Sequence, residues 1–236
     1  MEYRLGIEDM EPGSWIAWVF DLPGCYARET SREQAIESAP AAIDELLTRL
    51  DRAGFDIKSY PLPIQAAVVE EFQSFPHSPD YLVNAFFEDD TLPLTGDEVE
   101  YGRRVLEINR RELLAIIEGL TEEMLERTIP GEVQGNLRGI LNHIGTAEWW
   151  YWDRLGLIFP RDQRPQETKE LLTAIRDFTM THLPDLIGRD LKTVRSGETW
   201  SPRKLLRRAI WHERAHTLQI RRYLDGMSHL ASEAIP

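Results

Sequence analysis

The chain has 236 residues, 42% of them hydrophobic, which is enough for a real core in one large domain or two modest ones. No run approaches the roughly 18 uncharged apolar residues of a membrane span, so no membrane partner is expected. The formal net charge of −13 is uneven: residues 1–95 carry 18 Asp/Glu against 6 Lys/Arg, and residues 96–236 carry 22 against 21, so the front half repels phosphate backbones and nucleic acid is not an expected partner.

In chain order, Tyr3 to Glu8 alternates in the manner of a strand, Glu11-Pro12-Gly13 supplies a turn, and Ser14 to Phe20 is rich in β-branched and aromatic residues, which predicts a hairpin. Asp21-Leu22-Pro23-Gly24 closes the second strand, and Cys25 to Arg28 is read as its continuation after the turn. Thr30-Ser31-Arg32-Glu33-Gln34 offers overlapping capping boxes for a helix to about Ala53, with apolar positions at a 3.6 period and a candidate bend at Pro40. Strand-like runs at Ile64 to Val69 and Tyr81 to Phe87 are expected to complete a small mixed sheet. The turn-rich acidic stretch Glu88 to Gly96 sets a boundary near residue 93, dividing the chain into residues 1–93 and 94–236.

Four helices of bundle length are predicted beyond it. Thr95-Gly96-Asp97-Glu98 is a capping box for the first, which runs to about Gly119, and a short turn of helix follows at Thr121 to Glu126. The second spans about Leu137 to Leu155, and the third Thr168 to Ile187 with Pro184 ending or kinking it. The fourth has Ser201 as N-cap, Pro202 in its first position and Gly226 as its stop. The fold class is α+β, a small mixed α/β unit followed by a helix bundle. The arginine pairs Arg103-Arg104, Arg110-Arg111 and Arg207-Arg208 read as solvated helix faces.

His212 and His216 stand four residues apart on the fourth helix, so both imidazoles leave one face and can reach one cation. They share an apolar stripe with Leu205, Ala209 and Tyr223, while Arg207, Arg214 and Arg221 are assigned outward. On the second helix Ile140, His143, Ala147 and Trp150 form a matching stripe. His143, His212 and His216 are therefore candidate metal ligands, and three ligands leave a metal open to water or substrate. Read singly, His143 is better explained as a hydrogen-bonded core histidine; the fixed pair tips the set toward a metal. A lone cysteine, Cys25, excludes an internal disulfide and cysteine-based metal sites, and no nearby histidine or cationic helix end marks it as a nucleophile. His77, His182 and His229 have no placed partner. Of the aromatic run Trp149-Trp150-Tyr151-Trp152, most should pack in the core, with Trp150 walling a pocket near His143.

The region from about 96 to 225 resembles the DinB-like superfamily of four-helix bundles. The likeness rests on Gly135-Asn136-Leu137-Arg138-Gly139-Ile140-Leu141-Asn142-His143-Ile144, on Ala147-Glu148-Trp149, on Trp200-Ser201-Pro202-Arg203-Lys204-Leu205-Leu206-Arg207-Arg208, and on His212-Glu213 with His216. The resemblance implies a divalent metal, zinc or nickel, on His143, His212 and His216. It also implies, for some relatives, transferase chemistry with a low-molecular-weight thiol cosubstrate, and for others metal-dependent hydrolysis. The first 60 or so residues resemble the HicB-like fold through their two strands, Asp21-Leu22-Pro23-Gly24-Cys25 and Thr30-Ser31-Arg32-Glu33-Gln34-Ala35, with no DNA-binding module after them. A small-molecule substrate, a homodimer and a cytoplasmic location are expected.

Two rival readings compete with the transferase. One is a non-catalytic, metal-stabilised binding or regulatory protein. The other takes His212-Glu213-Arg214-Ala215-His216 as the His-Glu-x-x-His zinc-protease pattern, with Glu213 as general base. The protease reading lacks a third ligand, because Gln219 and Arg222 stand where the extended motif needs Gly and His. In the bundle reading Glu213 is expected beside the histidines, orienting an imidazole.

Overall fold

The computed structural model describes residues 2–11, 13–57, 62–79 and 81–233, the side chains of Glu11 and of residues 227–233 excepted. The fold is mixed α/β, with an N-terminal sheet and six helices. Strands β1 (Glu2–Glu11), β2 (Ser14–Val19), β3 (Tyr26–Glu29) and β4 (Gln65–Gln73) form one sheet in the order β3-β2-β1-β4, parallel only between β1 and β4. β3 turns back to pair antiparallel with β2 instead of prolonging it, because the chain reverses through Leu22 and Gly24 and Cys25 N–H donates to the Leu22 carbonyl at 2.8 Å.

Helix α1 (Arg32–Arg52) makes the crossover to β4. Ser31 caps it by accepting the Gln34 N–H, and it runs unbroken through Pro40. Its buried stripe Ala35, Ala39, Ile43, Leu46, Leu47 and Leu50 covers the face of the sheet that presents Leu5, Ile7, Ala17 and Val19. Alternate residues Ile16, Trp18 and Phe20 face the other way, as the two-residue period of a strand requires.

The expected strand from Tyr81 to Phe87 does not join this sheet. Only Tyr81–Val83 (β6) is a strand, and it pairs with Phe75–Ser78 (β5) in a separate hairpin. The reason lies in Glu8, fully buried on β1: its carboxylate accepts the Ala85 backbone N–H at 2.7 Å and Trp18 Nε1–H at 2.8 Å. A side chain thus takes the main-chain donor that a neighbouring strand would have used.

Helices α2 (Gly96–Ile117), α3 (Glu122–Glu126), α4 (Leu137–Arg154), α5 (Thr168–His182) and α6 (Pro202–Glu233) follow. The Thr95–Glu98 capping box opens α2, and Asn136 caps α4. A 3₁₀ turn containing Pro184 replaces the expected last turn of α5. A hairpin of β7 (Thr193–Arg195) and β8 (Glu198–Trp200) leads into α6, anchored by fully buried Glu198, which pairs with Lys204 at 2.6 Å and accepts the Tyr81 hydroxyl. α6 does not stop at Gly226. One glycine costs a helix only about 1 kcal/mol, and the Met, Leu, Ala and Glu that follow are good helix formers.

α6 packs against α2 and α4, and α4 against α5. Gly102 of α2 meets Leu206 so closely that a Cβ there would lie 2.6 Å from a leucine methyl. The core runs on across residue 93: Leu5, Ile43, Val105, Trp152, Leu205 and Ile210 belong to one cluster, and Trp211 of α6 closes on Trp18 with ring centroids 5.5 Å apart. The acidic stretch after Glu88 is likewise bound to α6. Asp90, 1% exposed, pairs with Arg207 at 2.7 Å, and Arg203 grips Glu98 at 2.5 and 2.8 Å. The solvated-face reading therefore fails for Arg110, Arg207 and Arg208, all buried, and Arg207 does not point outward. Among the described residues no helix is long and apolar enough to cross a membrane.

Candidate metal centre

α4 supplies His143, and α6 supplies His212 and His216. The three offer ligand nitrogens all within 4.8 Å of one another. His212 is central, with its Nε2 3.0 Å from His143 Nε2 and 3.1 Å from His216 Nε2. For tetrahedral zinc with Zn–N near 2.0–2.1 Å, neighbouring nitrogens stand about 3.3 Å apart, so the two His212 separations come within a few tenths of an ångström of ligand spacing, while His143 and His216, whose nitrogens lie within 4.8 Å, would close on the ion.

The protons argue the same way. His216 Nδ1 lies 2.6 Å from Gln219 Oε1, and Gln219 is oriented by donating its amide to Glu132 at 2.7 Å. His216 therefore donates from Nδ1 and turns an Nε2 lone pair toward His212. In a neutral trio a proton can serve only one of the two short Nε2 contacts, and the other is left without a proper hydrogen bond. A cation at the centre satisfies all three nitrogens, so the donor set fits a divalent metal.

Burial keeps the imidazoles neutral. It pushes His143 down to about 4, helped by the neighbouring His216 and opposed by Glu132. His212 lies well below the ordinary range through burial, then His216, His143 and Arg208. His216 is lowered by burial despite its bond to Gln219. Burial alone would raise Glu132, but the Gln134 N–H and the Tyr223 hydroxyl, at 2.9 and 2.7 Å, outweigh it and hold the carboxyl below its usual range.

Glu213 is not beside the histidines, and this corrects the expectation from sequence. Its oxygens receive Arg110 Nε and Arg176 Nη2, each at 2.6 Å. Glu148 completes the set, bonded to Arg176 at 2.9 and 3.0 Å and to Arg110 at 3.4 Å. Two carboxylates and two guanidiniums thus form a buried quartet on another side of α6. The protease reading loses its general base. The imidazole-orienting role falls to Gln219 and Glu132, which sequence reasoning missed; Gln219 was legible as i+3 from His216, whereas Glu132 comes from a loop and carried no signal.

A cavity of about 380 Å³ opens beside the histidines, lined also by Trp150, Tyr151, Arg208 and Trp211. Trp150 is half-buried at this wall, while Trp149, Tyr151 and Trp152 are core residues. His77 stacks edge-on with Tyr81, and His182 bonds to Asp185 at 3.0 Å, neither near the cluster; the His229 side chain is outside the described residues. Cys25 is buried, and burial pushes its thiol up to about 12, which leaves it unreactive. Compared with known protein families, curated proteins and solved structures, the chain matches none.

Proposed function

We propose that the chain is a divalent-metal protein in which α2, α4, α5 and α6 form a DinB-like four-helix bundle behind a HicB-like sheet unit. We further propose that it works as a metal-dependent transferase using a low-molecular-weight thiol. The observation that carries this reading is the convergence of three neutral imidazole nitrogens at the wall of an open cavity. A zinc or nickel ion there would supply Lewis acidity, lowering the pKa of a thiol or water that enters from the cavity.

The chain's own groups do the rest. Gln219 and Glu132 hold His216 in the tautomer whose Nε2 faces inward. Trp150, Tyr151 and Trp211 offer apolar walls that exclude water and orient a substrate body.

The test is elemental analysis of freshly purified protein, with no chelator and no metal-affinity column. One zinc or nickel ion per chain is expected, with loss of the ion in His143→Ala and His212→Ala. Thiol-dependent consumption of an electrophile should track metal content. Protein that neither carries nor takes up zinc or nickel would reduce the trio to core histidines.

A further inference from the structure

Arg208 lies on α6 one turn before His212, so Arg208, His212 and His216 follow one another at steps of four residues along one face. It lines the same cavity. Its exposure is 7%, and its guanidinium carbon sits 4.5 Å from the Trp211 ring centroid.

Five arginines are buried among the described residues: Arg110, Arg176, Arg203, Arg207 and Arg208. The first four each hold a carboxylate: Arg110 and Arg176 in the quartet, Arg203 on Glu98, Arg207 on Asp90. Arg208 alone forms no ion pair among the described residues: it shares a side-chain hydrogen bond with the Tyr151 hydroxyl, but its Nε and Nη1 find no acceptor. Trp211 Nε1, in the same wall, is also without an acceptor. A buried guanidinium with no counter-charge destabilises the ligand-free fold, and an anion entering the cavity would remove that penalty.

We infer that Arg208 is the anion anchor of this cavity and that the ligand is a small organic carboxylate. Its acid group sits on the guanidinium, and its apolar or flat body lies among the rings of Trp150, Tyr151 and Trp211. A carboxylate suits the planar guanidinium and tolerates apolar walls on its other side. Four helical residues rise about 6 Å, so a second donor a few bonds from the carboxylate would reach the imidazoles. That second contact rests on the proposed metal; the anion anchor does not.

The probes are benzoate and its neutral isostere benzamide, titrated into the full chain by calorimetry with metal content measured on the same samples. Benzoate should bind at least about ten-fold more tightly, and Arg208→Met should erase the difference. Arg208→Lys should keep part of it. The ligand-free Arg208→Met protein should melt no lower than the native chain. Equal binding of the two probes overturns the anchor, as does a preference that survives Arg208→Met or a clear fall in melting temperature in that variant. Inorganic phosphate binding tighter than benzoate overturns the carboxylate class. Benzoate selectivity in protein that takes up no metal sinks the metal reading alone; bound metal with no selectivity sinks the anchor alone.

Discussion

Glu213→Gln separates the two meanings of the His-Glu-x-x-His string. Glu213 is 1% exposed and Glu148 4%, and between them they neutralise Arg110 and Arg176. The substitution preserves shape but removes one of two negative charges, leaving a buried excess positive charge and turning an amide N–H₂ toward a guanidinium. Breaking a buried pair in this way costs about 3–5 kcal/mol. At about 2–4 °C per kcal/mol for a chain of this size, the melting temperature should fall by roughly 6–20 °C. Circular dichroism melts give that number, and elemental analysis of the folded fraction gives metal per chain, which should not change because both carboxylate oxygens are spent on arginines. The reasoning is refuted by the opposite pattern, an unchanged melt with loss of metal, which would return Glu213 to the histidine cluster.

Two further expectations follow from the same neighbourhood. Gln219→Leu removes the acceptor of His216 Nδ1–H and should weaken metal affinity by about 10–100-fold, measured by competition with a chromophoric chelator, with little change in the melt; an unaltered affinity would mean that His216 is oriented by something else. Because burial lowers all three imidazoles, the metal-free protein should have their full contribution above pH 6.5 and lose it as pH falls toward about 4, where His143 protonates. His143→Phe should flatten that part of the stability profile, and parallel profiles for variant and native protein would count against the assignment.

Local chemistry made much of the architecture legible. Thr95 with Glu98, and Ser201 before Pro202, announce helix starts because capping needs only residues within one turn. The approach of His212 to His216 follows from helix geometry, and the stripe shared by His143 and Trp150 correctly turns both toward one cavity. What escaped depends on distant partners. Arg110 and Arg207 look solvent-facing until Glu213 and Asp90, each more than 100 residues away, are brought to them. The extended run near Phe87 has the composition of a strand, but Glu8 takes its backbone donor. Gly226 has the identity of a helix stop without the left-handed turn that would make it one.

The place of α6 has a kinetic consequence. Arg214 reaches Glu45 across 169 residues, and Trp211, which walls the cavity, also closes the sheet core over Trp18. Contacts of such sequence separation pay their loop-closure entropy before they return any stabilisation, so they form late and slow the search for the native state. His212 cannot meet His143 until α6 has docked. The cluster is therefore among the last features to assemble during refolding, and a cation present from the start would act on the final docking step rather than on the early collapse of the sheet or of the α4–α5 pair.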